Sequence, residues 1–327
     1  MRKQAGSRAV KWGLRLVTWA LSAALLGVLL VWGVLQWGNR EVSAPTLAEK
    51  QQSYQQAIKW LRAHESEVLA DPNAALWWML QHAAQRMGDA YLASLLNQQD
   101  ARNYQELGVQ RVWRRMIYPD SPIPAQELDT DDLSPYQQFF HDALICRRDD
   151  PRNQAFFTAN LCRPIGLHIL RGDPTCVTHQ LMGVRLFMQS RCPQAQNLLP
   201  LQSELVADIK KQLRYDVVFK DVYIQRVLML TWTQGPQAVE PAWLRRVLAQ
   251  QQPSGGWLEQ PVYPWLPEAL QPWRLKLRLN SMWPRFFQAP NPQPTFHATA
   301  QGLLLMALSM PAGQLAAPTP APVGAQP

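Results

Sequence analysis

LVTWALSAALLGVLLVWGVLQW, residues Leu16–Trp37, runs without a charged side chain and decides how the rest of the chain is read. As a helix rising 1.5 Å per residue it covers about 33 Å, slightly more than the roughly 30 Å hydrocarbon core of a bilayer. The stretch therefore reads as a transmembrane helix. Arg2, Lys3, Arg8, Lys11 and Arg15 precede it and only Arg40 follows closely, a bias that keeps residues 1–15 as a cytoplasmic basic tail and sends the chain after Asn39 across the membrane. Trp12, Trp19, Trp32 and Trp37 lie toward its two ends, as interfacial anchors do. A cleaved signal peptide is the rival reading. It needs a shorter apolar core and a small-x-small site, and the nearest candidate, Val42-Ser43-Ala44, is followed by Pro45. The expectation is a single-pass inner membrane protein with a cytoplasmic N-terminus and a periplasmic main domain, held to the inner membrane by residues 16–37. The orientation signal would equally suit an endoplasmic lumen. There is no GxxxG face to pair this helix with another.

The net charge of +8 belongs mostly to the tail. Five of the 32 basic residues precede the span, leaving 27 against 24 acidic ones. With no basic stripe and no helix-turn-helix or RNA motif, nucleic acid is excluded as a partner. Cys146, Cys162, Cys176 and Cys192 cluster in the exported part, which in an oxidising compartment reads as two disulfides. Zinc would need closer pairs than these, so no metal and no cofactor is expected.

Helical periodicity recurs through the exported part, residues 46–310. Segments fit Thr46–Val68, the run capped by Asn73, the run opened by Asp89, Tyr104–Ile117, Pro135–Cys146, Pro151–Cys162, Cys176–Arg191, Leu201–Arg214, Val217–Trp232, Pro241–Gln251 and Thr295–Met310. Residues 119–133 read as a long polar loop, and residues 311–327, rich in Ala and Pro, as a disordered tail. No segment alternates as a strand does, so the domain is expected to be all-α. Leu201, Leu205, Ile209 and Leu213 form one stripe, the habit of an outer helix, whereas VVFKDVYIQRVLMLTW and FHATAQGLLLMAL are apolar nearly all round. Outer amphipathic helices alternating with buried ones suit a ring of helical hairpins around a cavity.

Asp221-Val222-Tyr223, Trp243-Leu244, Gln251-x-x-x-Gly255-Gly256-Trp257 and Phe296-His297-Ala298 follow one another in the last third of the exported part. This segment, residues 221–308, resembles the α/α toroid of terpenoid cyclases and protein prenyltransferases. The resemblance implies a ring of helical hairpins, with the Gln and Trp of the Q-x-x-x-G-x-W element capping and packing rather than catalysing. In prenyltransferases an Asp, a Cys and a His from such a series bind zinc. Asp221 and His297 match two of these, and Tyr223 stands in place of the thiolate. Asp129-Thr130-Asp131-Asp132 also spells the D-x-D-D acid motif of class II terpenoid cyclases, whose middle Asp, here Asp131, would protonate an alkene. The bland account is a set of acidic residues placed ahead of a helix dipole.

His179 and His297 each follow a proline and fall in the first turn of an apolar helix, where a ring would aim both at the cavity mouth. With Asp221, Tyr223 and Gln225 they would make a polar floor for a sugar or peptide, or for acid/base work; alternatively both histidines are packed in the core. His64, His82 and His141 fit helix-surface or interhelix positions, and His168 a loop. Trp257, Tyr263, Trp265, Trp273 and Trp283 crowd the proline-broken connection from Gly256 to Gln293, a candidate binding loop or a cover for one end of the ring.

Helix geometry orders the cysteines. If Cys176 and Cys192 bracket one helix, their Cα atoms stand about 24 Å apart, against the roughly 4.4–6.8 Å of a disulfide. Three antiparallel helices in succession bring Cys162 beside Cys176 and Cys146 beside Cys192, a nested pairing. The functional expectation is a periplasmic binding or scaffold module for an envelope protein assembly or glycan. The runner-up is an enzyme acting on an envelope polysaccharide or peptide through His179, His297, Tyr223 and Asp221, with a terpenoid-cyclase-like activity through Asp131 third.

Overall fold

The computed structural model describes residues 2–103, 109–123, 130–162, 176–216, 218–271 and 293–313, the side chains of residues 2–11, 13, 14, 102, 103, 109–111 and 268 excepted. The helices are α1 Arg2–Gly38, α2 Leu47–Ala63, α3 Glu65–Ala70, α4 Ala74–Met87, α5 Ala90–Asn103, α6 Val109–Ile117 and α7 Pro135–Leu144. They continue with α8 Gln154–Thr158, α9 Cys176–Gln189, α10 Leu199–Tyr215, α11 Asp221–Gln234, α12 Pro241–Ala249 and α13 Phe296–Leu308. Among the described residues β-structure is limited to two isolated bridges, Phe219 with Val262 and Leu258 with Pro294. The regular structure of the described residues is all-helical. Within α1, Arg15–Gly38 is long and apolar enough to cross a membrane, and none of its most apolar stretch is buried against the protein.

Local chemistry sets the helix ends. Thr46 and Glu49 form a reciprocal capping box on α2, Ser134 and Gln137 form another on α7 with Pro135 in the first turn, and Asn73 caps α4 through Ala75 N. The sequence suggests one helix from Thr46 to Val68, but it breaks at His64 (φ −119°, ψ 23°), whose ring stacks on Trp60 and whose Nδ1 meets the Trp60 carbonyl at 2.9 Å. The segment expected as helix from Pro151 to Cys162 is helical only over Gln154–Thr158. Gln180 takes over there, its amide donating to the carbonyls of Phe156 and Ala159. Residues 104–108, most of the acidic loop, His168, Trp273, Trp283 and residues 314–327 lie outside the described residues.

Packing follows the division between amphipathic and all-apolar helices. On α11 every residue from Val222 to Thr231 is buried, and on α13 so are Phe296 and Ala298–Ala307. Contacts run from α4 to α13, α13 to α11, α11 to α9, α9 to α7, α7 to α6, and α6 back to α4. Outside them, α2 lies on α13, α5 on α4, α10 on α9 and α11, and α12 on α11. α10 turns Leu201, Leu205, Val206, Ile209 and Leu213 inward, an i, i+4 stripe with a solvated opposite face.

Gln251 ties the end of the domain to its beginning, donating to Ser53 O (2.9 Å) and Gly255 O (2.7 Å). Gly255 adopts φ +102°, and a Cβ there would lie 2.0 Å from the Gln56 carbonyl oxygen, so only glycine permits this approach to α2. The disulfides join Cys146 to Cys192 (Cα–Cα 5.2 Å) and Cys162 to Cys176 (5.6 Å), the nested pairing. The first bond links the C-terminal ends of α7 and α9, so these two helices run in the same direction.

Candidate functional site

The N-terminal turns of α4, α7, α9, α11 and α13 border one cavity of about 800 Å³. Leu76, Met79, Met116, Phe140 and Met182 form its apolar floor, and Trp113 and Tyr136 are half-buried at its side. Asn73, Asp132, Ser134 and Gln137 lie at the rim, and His179, Gln225 and His297 supply polar groups further in. Among the described lining residues there is no Lys or Arg. Such a site, concave and mostly apolar with a few convergent hydrogen-bonding groups, is the usual form of a small-ligand pocket.

Gln225 is buried, and its Oε1 accepts from the Thr178 hydroxyl at 2.7 Å. The bond occupies the amide oxygen of a residue that lines the cavity. The His179 ring sits against Tyr136, centroids 4.7 Å apart, and Phe140, 6.0 Å. His297 Nδ1 lies 2.9 Å from Glu259 Oε1 and 3.6 Å from Asp221 Oδ2, while its Nε2 is 3.0 Å from the Gln301 amide one turn on. Both ring nitrogens are therefore engaged by the protein. Burial disfavours the imidazolium, but the hydrogen bond to Glu259 and the negative charges of Asp221, Glu259 and Asp71 outweigh it, and the pKa stands above the ordinary 6.5. The same bond draws the Glu259 carboxyl below its ordinary 4.5, against its own desolvation.

The sign of the resulting pH dependence follows from linkage. The raised histidine contributes stability that is complete below about pH 6.5 and is lost as pH rises through its folded pKa. The lowered glutamate contributes stability present above about pH 4.5 and lost as pH falls through its folded pKa. Glu259→Gln should therefore cost most between these limits, and should lower the His297 pKa because burial then meets less opposition. An imidazole NMR titration of both proteins checks this; an unchanged His297 pKa would show that Glu259 does not control it.

The other expected site residues fall elsewhere. Tyr223 is fully buried, its ring against Phe219 and under the Arg246 guanidinium, and its hydroxyl has no hydrogen-bond partner among the described residues. Burial holds the phenol far above its usual pKa. It belongs to the core, because 200° of helical turn separates it from Gln225, which lines the cavity. Asp221 and His297 meet, but the third position of the prenyltransferase-like set points away from them.

Trp257 is likewise a core residue, not a stacking surface. Its ring packs where Gly302 has no side chain and its Nε1 donates to Val247 O at 2.9 Å. Tyr263 and Trp265 meet edge to face at 5.8 Å on a turn held by Gln271, and neither lines the cavity. Asp131 is largely exposed and pairs with Arg152 at 3.0 Å, the setting of a solvated ion pair and not of a buried acid. The cavity residues missing from the sequence reading are Trp113, Met79, Met116, Tyr136, Phe140 and Met182, together with Glu259 behind His297. They come from α4, α6, α7, α9 and the connection after α12, so no local motif announces them. No known protein family, curated protein or solved structure matches the chain.

Proposed function

We propose that this chain is a membrane-anchored periplasmic binding module, with α1 in the inner membrane and α2–α13 forming an α/α-toroid-like ring whose cavity takes a neutral glycan of the envelope. The observation that carries this reading is the cavity itself. Aromatic faces on Trp113 and Tyr136 suit the apolar face of a sugar ring, and amides on Asn73, Gln137 and Gln225 with the Asp132 carboxylate suit its hydroxyls. No Lys or Arg stands among the described lining residues, which suits a neutral bound group. The circuit of contacts from α4 through α13, α11, α9, α7 and α6 supports the ring, and two disulfides suit an oxidising compartment.

An enzyme using His179, His297, Tyr223 and Asp221 is less well supported. Tyr223 is in the core, and neither nitrogen of His297 is left to accept a substrate proton.

Calorimetric titration of the full chain in detergent tests the binding reading. Neutral envelope oligosaccharides should bind saturably, Trp113→Ala should weaken them about tenfold, and Ala75→Trp, which fills the cavity from a half-buried position, should abolish binding. Failure of every neutral oligosaccharide to bind, or binding indifferent to Ala75→Trp, would refute it.

A further inference from the structure

A second concavity, about 470 Å³, lies where α1 meets the rest of the protein, between Trp32, Leu35 and Gln36 on one side and Arg214, Tyr215 and Glu240 on the other. The junction is fixed by side-chain bonds. Asn39 donates to Arg214 O at 2.8 Å and accepts from Trp243 Nε1 at 3.3 Å, and Arg245 donates to Ser43 O at 2.9 Å. Gly38 is buried against the Arg246 guanidinium, which a Cβ at that position would strike at 2.2 Å. The end of the apolar helix is thus held at one place on the protein surface, and that place carries paired opposite charges: Arg214 and Glu240 stand 3.4 Å apart, both solvent-accessible.

We infer that this concavity is a binding site for one phospholipid with an ethanolamine headgroup. The inference rests on α1 lying in a bilayer and is independent of what the larger cavity binds. Trp32 is six residues before Gly38, about 9 Å deeper along the helix axis, so the concavity runs from acyl-chain depth to headgroup depth. Trp32 and Leu35 offer an apolar wall to the glycerol and upper acyl region. Arg214 faces the lipid phosphate with a guanidinium fork, and Glu240 accepts N–H bonds from the ammonium. A choline headgroup has no N–H to donate, and a glycerol headgroup has no cation for Glu240.

Native mass spectrometry of the full chain, released from nanodiscs of equal ethanolamine, choline and glycerol phospholipids, tests the site. Retention of the ethanolamine lipid should exceed that of the other two by about fivefold, the scale of an accessible ion pair. Glu240→Gln should remove the preference, Arg214→Gln should lower retention of all three, and Arg214→Lys should restore part of it. Equal retention by the wild type, or a preference for the glycerol lipid, overturns the proposal. So does a preference that survives Glu240→Gln in protein with wild-type circular dichroism. Because α1 insertion is read separately by flotation with the nanodiscs, loss of the site and loss of the anchor give different results.

Discussion

Replacing Cys146 and Cys192 by serine is expected to lower the unfolding free energy by about 4 kcal/mol, and replacing Cys162 and Cys176 by about 3 kcal/mol. The two figures come from the chain entropy each bond removes from the unfolded state, and the sequence separations of 46 and 14 residues set their order. The first bond also fixes the common direction of α7 and α9, whose first turns carry Tyr136 and His179 at the cavity. Its loss should therefore disturb ligand binding as well as stability. Thermal unfolding followed by far-ultraviolet circular dichroism should show a midpoint lowered by about 10 °C for the first pair. An unchanged midpoint would mean that the helices hold their places without the covalent tie.

Trp257→Ala is expected to cost about 3–5 kcal/mol. The ring is fully buried, fills the space that Gly302 leaves open on α13, and satisfies the Val247 carbonyl of α12. Its backbone N–H donates to Thr299 Oγ1 at 3.2 Å, a bond that alanine keeps, so the cost lies in the side chain. Truncation would leave a cavity between α12 and α13 and remove the indole's bond to a carbonyl that then keeps only the Gln250 N–H. A ligand-stacking tryptophan would behave oppositely, losing affinity with little change in unfolding. Urea denaturation beside ligand titration separates the two roles, and a stable variant with weakened binding would return Trp257 to the site.

The all-helical class and the central place of α11 and α13 were legible because their segments are apolar nearly all round, which only a helix packed on several sides can satisfy. Helix length excluded a Cys176–Cys192 bond, and three antiparallel helices in succession gave the nested pairing, which the structure has although the middle helix is only the short α8. Part of the cavity was legible too, since His179 and His297 sit in first turns and those turns converge. Tyr223 was misplaced through neglect of the helical period. Asp221 and Gln225, four residues apart, share a face, and Tyr223 between them is on the opposite one. The aromatic wall could not be read. Trp113, Met116 and Tyr136 become neighbours only after α6 and α7 pack together, and their spacing in the chain carries no sign of it.

The central claim is that ligand enters the cavity bordered by the five helix starts. Carbon-13 labelling of the methionine methyls reads this directly, because Met79, Met116 and Met182 line the cavity, while Met229 and Met306 are buried in α11 and α13 away from it. Titration of the full chain with a neutral envelope oligosaccharide should move the methyl resonances of Met79, Met116 and Met182 saturably and leave Met229 and Met306 in place. Saturable binding that leaves all three cavity methyls unmoved would contradict the account.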